Sequence, residues 1–120
     1  MDERRAIRIS EALKEELSEL ISFEMQDPRM ALVEVTDVHV SPDGRHAAVV
    51  VGVRGTPREI KEALAALEHA EGYFRHELAS RLTLRHVPEL RFQQDKNPDV
   101  ESRIDFLIRR AKKSRRGGEK

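Results

Sequence analysis

Five histidines, His39, His46, His69, His76 and His86, are the side chains best suited to proton transfer or metal ligation, and they are scattered along the chain. His69 and His76 stand seven residues apart, whereas a helical metal pair wants i,i+3 or i,i+4 spacing and a further ligand. There is no cysteine, which removes a thiolate nucleophile, a thiolate zinc site and a disulfide framework and fits a reducing cytoplasm. No serine sits in a nucleophile elbow, and neither a Walker loop nor G-x-G-x-x-G is present. Pairs such as Glu15–Glu16 read as ordinary helix-surface charge. The expectation is a protein that is not an enzyme and holds no metal or cofactor.

The basic side chains make a better case. Residues 109–120 hold seven cations, Arg109, Arg110, Lys112, Lys113, Arg115, Arg116 and Lys120, against Glu119, a charge of +6. Residues 1–108 hold 15 basic and 21 acidic side chains, or −6, so the formal net charge is 0. A basic tail on an acidic body fits polyanion binding, and equally a solvated, disordered end that aids solubility. The aromatics are Phe23, Tyr73, Phe74, Phe92 and Phe106, and Phe23, Phe74 and Phe92 are expected in the core. That argues against a sheet-face stacking platform for bases.

What remains is recognition of a nucleic-acid backbone at Ala70-Glu71-Gly72. Where two helices meet at a glycine, the free N–H groups and positive dipole end of the second can face a phosphate. Glycine also lets a sugar-phosphate chain come close. Arg75, Arg81 and Arg85 follow within reach. The other reading of Gly72 is a tight packing contact between helices, and spacing alone leaves both open.

These residues need elements to hold them. The chain has 120 residues, one domain's worth, with 38% hydrophobic and 37% charged residues. No apolar run approaches the roughly 20 residues that span a bilayer, and Met1–Arg5 has no apolar stretch behind it that would make a secretory signal. Ile9, Leu13, Leu17, Leu20 and Ile21 predict a helix from about Arg4 to Met25, ended by Asp27-Pro28. A strand over 32–40 changes apolar phase between Val35 and Val38, which predicts a bulge or two-sided cover. Ser41-Pro42-Asp43-Gly44 turns it into a second, antiparallel strand over 45–53. Thr56-Pro57-Arg58-Glu59 is a capping box that starts the next helix, whose apolar stripe resumes at Phe74 and Leu78 after a break at Gly72. A third strand should pair only after Pro88. Asn97-Pro98 then opens a short helix carrying Ile104, Leu107, Ile108 and Ala111. The order predicts an α+β fold with helices on one face of a three-stranded sheet.

The chain resembles the ribosome-binding factor A family over residues 4–108. The resemblance rests on Arg8-Ile9, Asp27-Pro28-Arg29, Val35-Thr36-Asp37-Val38-His39-Val40-Ser41 and Ala47, then Ala70-Glu71-Gly72-Tyr73-Phe74-Arg75. Leu84-Arg85-His86-Val87-Pro88-Glu89-Leu90-Arg91-Phe92, Asp95 and Arg103-Ile104 complete it. The order and spacing together carry it, not any single motif. It implies a type II KH-like α-β-β-α-α-β domain over residues 1–108, followed by a basic tail over 109–120. It implies that the GxxG loop of an ordinary KH domain is replaced by the kink Ala70-Glu71-Gly72.

The resemblance further implies a cytoplasmic, non-enzymatic factor that binds the free 30S subunit rather than the 70S ribosome. Such a factor acts late in small-subunit maturation, supports processing of the 16S rRNA 5′ end and matters in the cold. Its partners would be the small ribosomal subunit and its rRNA, with other assembly factors, and no membrane; it would act as a monomer. Because Glu71 puts an acid into the kink, RNA contacts are expected from Arg75, Arg81 and Arg85, from Arg4, Arg5 and Arg8, and from the tail. The alternatives are a generic KH-type binder of single-stranded RNA, a protein-interaction module using the acidic body and, last, a hydrolase.

Overall fold

The computed structural model describes residues 2–96. Helix α1 spans Glu3–Glu19, strand β1 Val33–Val40 and strand β2 His46–Val53; helices α2 and α3 span Pro57–His69 and Glu71–Arg81, and strand β3 spans Glu89–Gln94. The order α-β-β-α-α-β is the expected one. The expected helix after Asn97 and the basic tail lie outside the described residues.

Local chemistry accounts for most boundaries. Asp2 caps α1 by accepting from the Arg4 N–H at 2.9 Å. Thr56 and Glu59 bond each other's backbone N–H groups at 3.2 and 3.0 Å, so the capping box forms as predicted. The β1–β2 hairpin closes over Ser41–Arg45, with Gly44 at φ 73°. The register shifts between Val35 and Asp37, which is the predicted bulge; Thr36 Oγ1 donates to the Val50 carbonyl there at 3.1 Å.

One feature departs from the sequence reading. The first helix does not run to Met25 in one geometry. Its last turn, Leu20–Glu24, is a π-turn in which the Met25 N–H reaches back to the Leu20 carbonyl at 3.0 Å. This wider turn buries Leu20 and Ile21 but leaves Phe23 48% exposed, so Phe23 is not a core residue. Strand β3, for which the sequence set no direction, lies parallel to β2 in the order β1-β2-β3, with Glu89 beside His46. Antiparallel neighbours need only a turn, but a parallel neighbour needs a crossover, and α2 and α3 supply it.

The core lies between the helices and one face of the sheet. Leu13, Leu17, Leu20, Ala66, Leu67, Phe74 and Leu78 meet Val33, Val35, Val49 and Val51 there. Phe74 is fully buried and stacks at a tilt on Phe92, with ring centroids 5.9 Å apart. No helix among the described residues is long and apolar enough to cross a membrane.

Phe74→Ala removes the ring that ties α3 to β3 and should cost about 3–5 kcal/mol. Urea unfolding should show that loss as a lower midpoint with an unchanged slope.

A second expectation concerns acid. The Arg29 side chain holds the Asp27 carboxyl below its ordinary value, the Ser41 hydroxyl does so for Asp43, and the Thr56 backbone N–H does so for Glu59. A carboxyl depressed in the folded state contributes stability above its unfolded pKa and loses it as pH falls through the folded one. The melting temperature should therefore be level above about pH 5 and fall below about pH 4, with a shallower fall in Asp43→Asn. A level profile to about pH 3 contradicts the assignment.

Candidate nucleic-acid interface

One residue joins α2 to α3. Ala70 closes α2, its N–H bonding the Ala66 carbonyl at 3.0 Å, and opens α3, its carbonyl accepting from Phe74 N–H at 3.0 Å. No side chain caps α3, so its first turn presents backbone N–H groups. Gly72 sits exposed in that turn. Its φ is not positive, and a Cβ added there would meet nothing within 4 Å. The reading of Gly72 as a close helix–helix contact is therefore overturned; neither packing nor backbone conformation asks for glycine here.

Glu71 does not face outward. Its side chain is 20% exposed, and its Oε2 accepts from the Leu90 N–H at 3.0 Å. The same oxygen lies 4.0 Å from Arg75 Nε, and Arg75 Nη2 donates to the Val87 carbonyl at 3.2 Å. The kink is thus tied to the start of β3 and to the segment preceding it.

The arginines expected to touch RNA divide into two groups. Arg81 is engaged: it hydrogen-bonds Glu24, lies 3.6 Å from Glu16, and clamps α3 onto the first helix and its π-turn. The Glu24 hydrogen bond raises the Arg81 pKa further, so its charge is permanent. Arg75 is engaged with Glu71 and Val87. Arg85, in the segment between α3 and β3, is exposed and has no side-chain partner among the described residues. Arg4, Arg5 and Arg8, on the first turns of α1, are exposed and likewise without side-chain partners there. Arg109, Arg110, Lys112, Lys113, Arg115 and Arg116 lie outside the described residues.

Arg45 was missed by the sequence reading. Its backbone is held twice, by Asp43 Oδ1 on its N–H at 3.0 Å and by the Glu89 N–H on its carbonyl at 2.8 Å. Its exposed guanidinium makes no hydrogen bond or ion pair among the described residues, though its charge helps hold the Asp43 carboxyl below its ordinary value. The available signal was its place directly after the turn glycine, Gly44. Arg45 lies at the end of the sheet where β3 begins. The first turns of α1 reach the same end, since Ser10 Oγ accepts from the Val40 N–H at 3.1 Å.

An open groove of about 470 Å³ runs between the kink and β3, lined by Glu68, Glu71, Arg75, Glu89, Leu90, Arg91 and Phe92. Arg91 pairs with Glu89 at 3.8 Å and Arg75 with Glu71, which leaves one net negative charge in the groove. Such a groove does not attract a phosphate chain. Beside Gly72, Tyr73 is 45% exposed with its hydroxyl on Glu77 at 3.1 Å. Of the histidines, His39 lies 3.0 Å from Asp37 and His46 3.8 Å from Glu89. Among the described residues no group of three or more His, Asp or Glu could hold a metal ion.

The family model described as ribosome-binding factor A matches residues 5–108. The ribosome-binding factor A of Solibacter usitatus is 64% identical over 115 residues, covering 96% of this chain and 94% of that one. Its counterpart in Halothermothrix orenii is 41% identical over 112 residues, covering 93% and 92%. The crystal structure of ribosome-binding factor A from Thermus thermophilus matches with a TM-score of 0.67 at 32% identity, covering 74% of this chain and 94% of that one. Coordinates of the T. thermophilus factor fitted into a cryo-EM map of its complex with the 30S subunit match with a TM-score of 0.59 at 35% identity, covering 70% and 88%. With a kinked helix pair on a three-stranded sheet and these matches over nearly its whole length, the chain belongs to the ribosome-binding factor A family.

Proposed function

We propose that this protein is a non-enzymatic assembly factor that binds the 30S ribosomal subunit late in its maturation. It supports processing of the 16S rRNA 5′ end and prefers the free 30S subunit to the 70S ribosome. A T. thermophilus relative at 35% identity, fitted into a map of a 30S complex, supports the choice of partner.

The observation that carries the reading is Gly72. Glycine in a helix costs about 1 kcal/mol relative to alanine, and nothing inside the protein requires it at this position. An rRNA backbone approaching the first turn of α3 does: it meets free N–H groups and the positive helix end with no side chain in the way. Arg85, Arg45 and the Arg4, Arg5 and Arg8 group supply cations around that approach. The charges on α1 agree. Arg4, Arg5 and Arg8 sit at its positive dipole end, offset there in part by the cap Asp2 and by Glu3, while its last turn has no basic residue, so the arginines are not placed to favour the isolated helix. An external polyanion fits that placement. Residues 1–108 form the binding domain, and the basic tail adds affinity by counterion release. The bound protein holds one local rRNA conformation by binding it better than its alternatives.

The generic KH alternative is less favoured. A single strand laid along the groove beside β3 would meet Glu68, Glu71 and Glu89. Folded rRNA presenting a backbone to the exposed kink avoids them.

Sedimentation with purified 30S and 70S particles at physiological salt tests the reading; co-sedimentation with 30S alone is expected, and equal binding to both or to neither overturns it. Gly72→Val should weaken 30S binding about tenfold. Its melting temperature should stay within about 4 °C, since valine meets open space there and glycine is the poorer helix former. Lost stability with intact binding would return Gly72 to a purely structural role.

Truncation after Ile108 should leave the fold intact and make binding less salt-sensitive, the slope falling by about 0.7–0.9 for each phosphate contact removed. An unchanged slope excludes the tail from the interface.

A further inference from the structure

We infer that Glu71 and Arg75 are positioning residues for the RNA interface, forming a latch that fixes the kink and the Arg85 segment relative to β3. This rests on the proposed RNA-binding function and names the part of the kink that acts from within.

Sequence alone casts Arg75 as a cation for phosphate and Glu71 as an intrusion. The geometry reverses both roles. Glu71 is the first residue of α3, and its carboxylate accepts the Leu90 N–H at 3.0 Å. Leu90 alternates with Glu89 and Arg91 in β3, and the Glu89 N–H already points to β2 through the Arg45 carbonyl at 2.8 Å. The Leu90 N–H therefore points away from the sheet, and Glu71 occupies this edge donor. The same Oε2 lies 4.0 Å from Arg75 Nε, and Arg75 donates onward to the Val87 carbonyl at 3.2 Å. Two side chains one helical turn apart thus bind backbone groups on both sides of Pro88, at Val87 and Leu90.

Two consequences follow. The latch fixes where the segment containing Arg85 enters β3, and so where that free cation stands relative to Gly72. It also engages an arginine that would otherwise offer its charge to any polyanion. The latch therefore favours a shaped rRNA surface over arbitrary RNA: its loss through Glu71 should move the two affinities in opposite directions, and its loss through Arg75 should lower only the affinity for 30S. Simple loss of structure would lower both.

The test uses the full chain with Glu71→Gln, Glu71→Ala and Arg75→Ala, and three readouts. These are exchange of the Leu90 amide by NMR, affinity for purified 30S particles, and affinity for an oligouridine. Gln keeps an acceptor for Leu90 but loses the charge facing Arg75; Ala loses both. Leu90 should exchange about tenfold faster in Glu71→Ala and stay near wild type in Glu71→Gln. Affinity for 30S should fall about tenfold in Glu71→Ala and in Arg75→Ala. Affinity for oligouridine should rise about threefold in both Glu71 variants, where Arg75 is released, and stay unchanged in Arg75→Ala.

Unaltered Leu90 exchange in Glu71→Ala overturns the latch. An equal loss of both affinities in Arg75→Ala makes Arg75 a direct contact and also overturns it. Should Glu71→Ala not fold, Arg75→Ala and Glu71→Gln still decide by the ratio of the two affinities. If the wild-type chain fails to bind 30S at all, the functional reading falls, while Leu90 exchange judges the latch by itself.

Discussion

The parallel pairing of β2 with β3 dictates the rest of the molecule. After the hairpin the chain stands at Val53, yet β3 must begin beside His46, at the other end of β2. The chain has to travel back along the sheet over one face before it can pair. Helix α2, with 13 residues, is about 20 Å long and makes that return. It delivers Ala70 to the place where β3 starts, and the direction of the chain changes there. The uncapped first turn of α3, the exposed Gly72 and the inward Glu71 all follow from that geometry. The corner of the crossover is built from the same residues that complete the fold.

Which cations remain free is a matter of proximity, not of total charge. A surface ion pair contributes little stability, about 0–1 kcal/mol, but it decides where an arginine points. Arg81 is held between Glu16 and Glu24, and Arg75 between Glu71 and the Val87 carbonyl. Arg85, Arg45 and the α1 arginines have no such partner among the described residues. Free positive charge on this acidic body is therefore confined to particular segments. The body's carboxylates hold Arg58, Arg75 and Arg81 on the helix faces and line the groove at β3, and the unpaired guanidiniums stand on the hairpin, the first turns of α1 and the segment before β3.

Much of this was legible because the signals are local. The Thr56–Glu59 capping box, the turn at Gly44, the bulge marked by the Val35-to-Val38 phase change, the break before Gly72 and pairing only after Pro88 depend on residues a few positions apart. What was not legible depends on distant partners. Arg81 meets Glu24 across 57 positions and Leu90 meets Glu71 across 19, and no periodicity carries such information. The parallel direction of β3 is likewise a property of the crossover as a whole. Phe23 was misplaced because the apolar stripe assumes 3.6 residues per turn, and the π-turn at Leu20–Glu24 breaks that assumption where the stripe ends.

A hinge made of one residue between two helices would be a poor platform if it were loose, because every degree of freedom frozen on binding subtracts from affinity. Here the corner is held from three sides. Phe74 anchors it to Phe92 in the core, Glu71 anchors it to the edge of β3, and Arg81 anchors the far end of α3 to the first helix and its π-turn. With α3 fixed at both ends, the glycine at its start supplies close approach without supplying motion. This turns the usual meaning of an exposed glycine around. What it leaves is open space at the helix start, and the neighbouring side chains remove the conformational freedom that would otherwise accompany it. On the proposed function, a rigid corner of this kind favours a shaped ribosomal surface over a flexible oligonucleotide, which must lose its own freedom to bind.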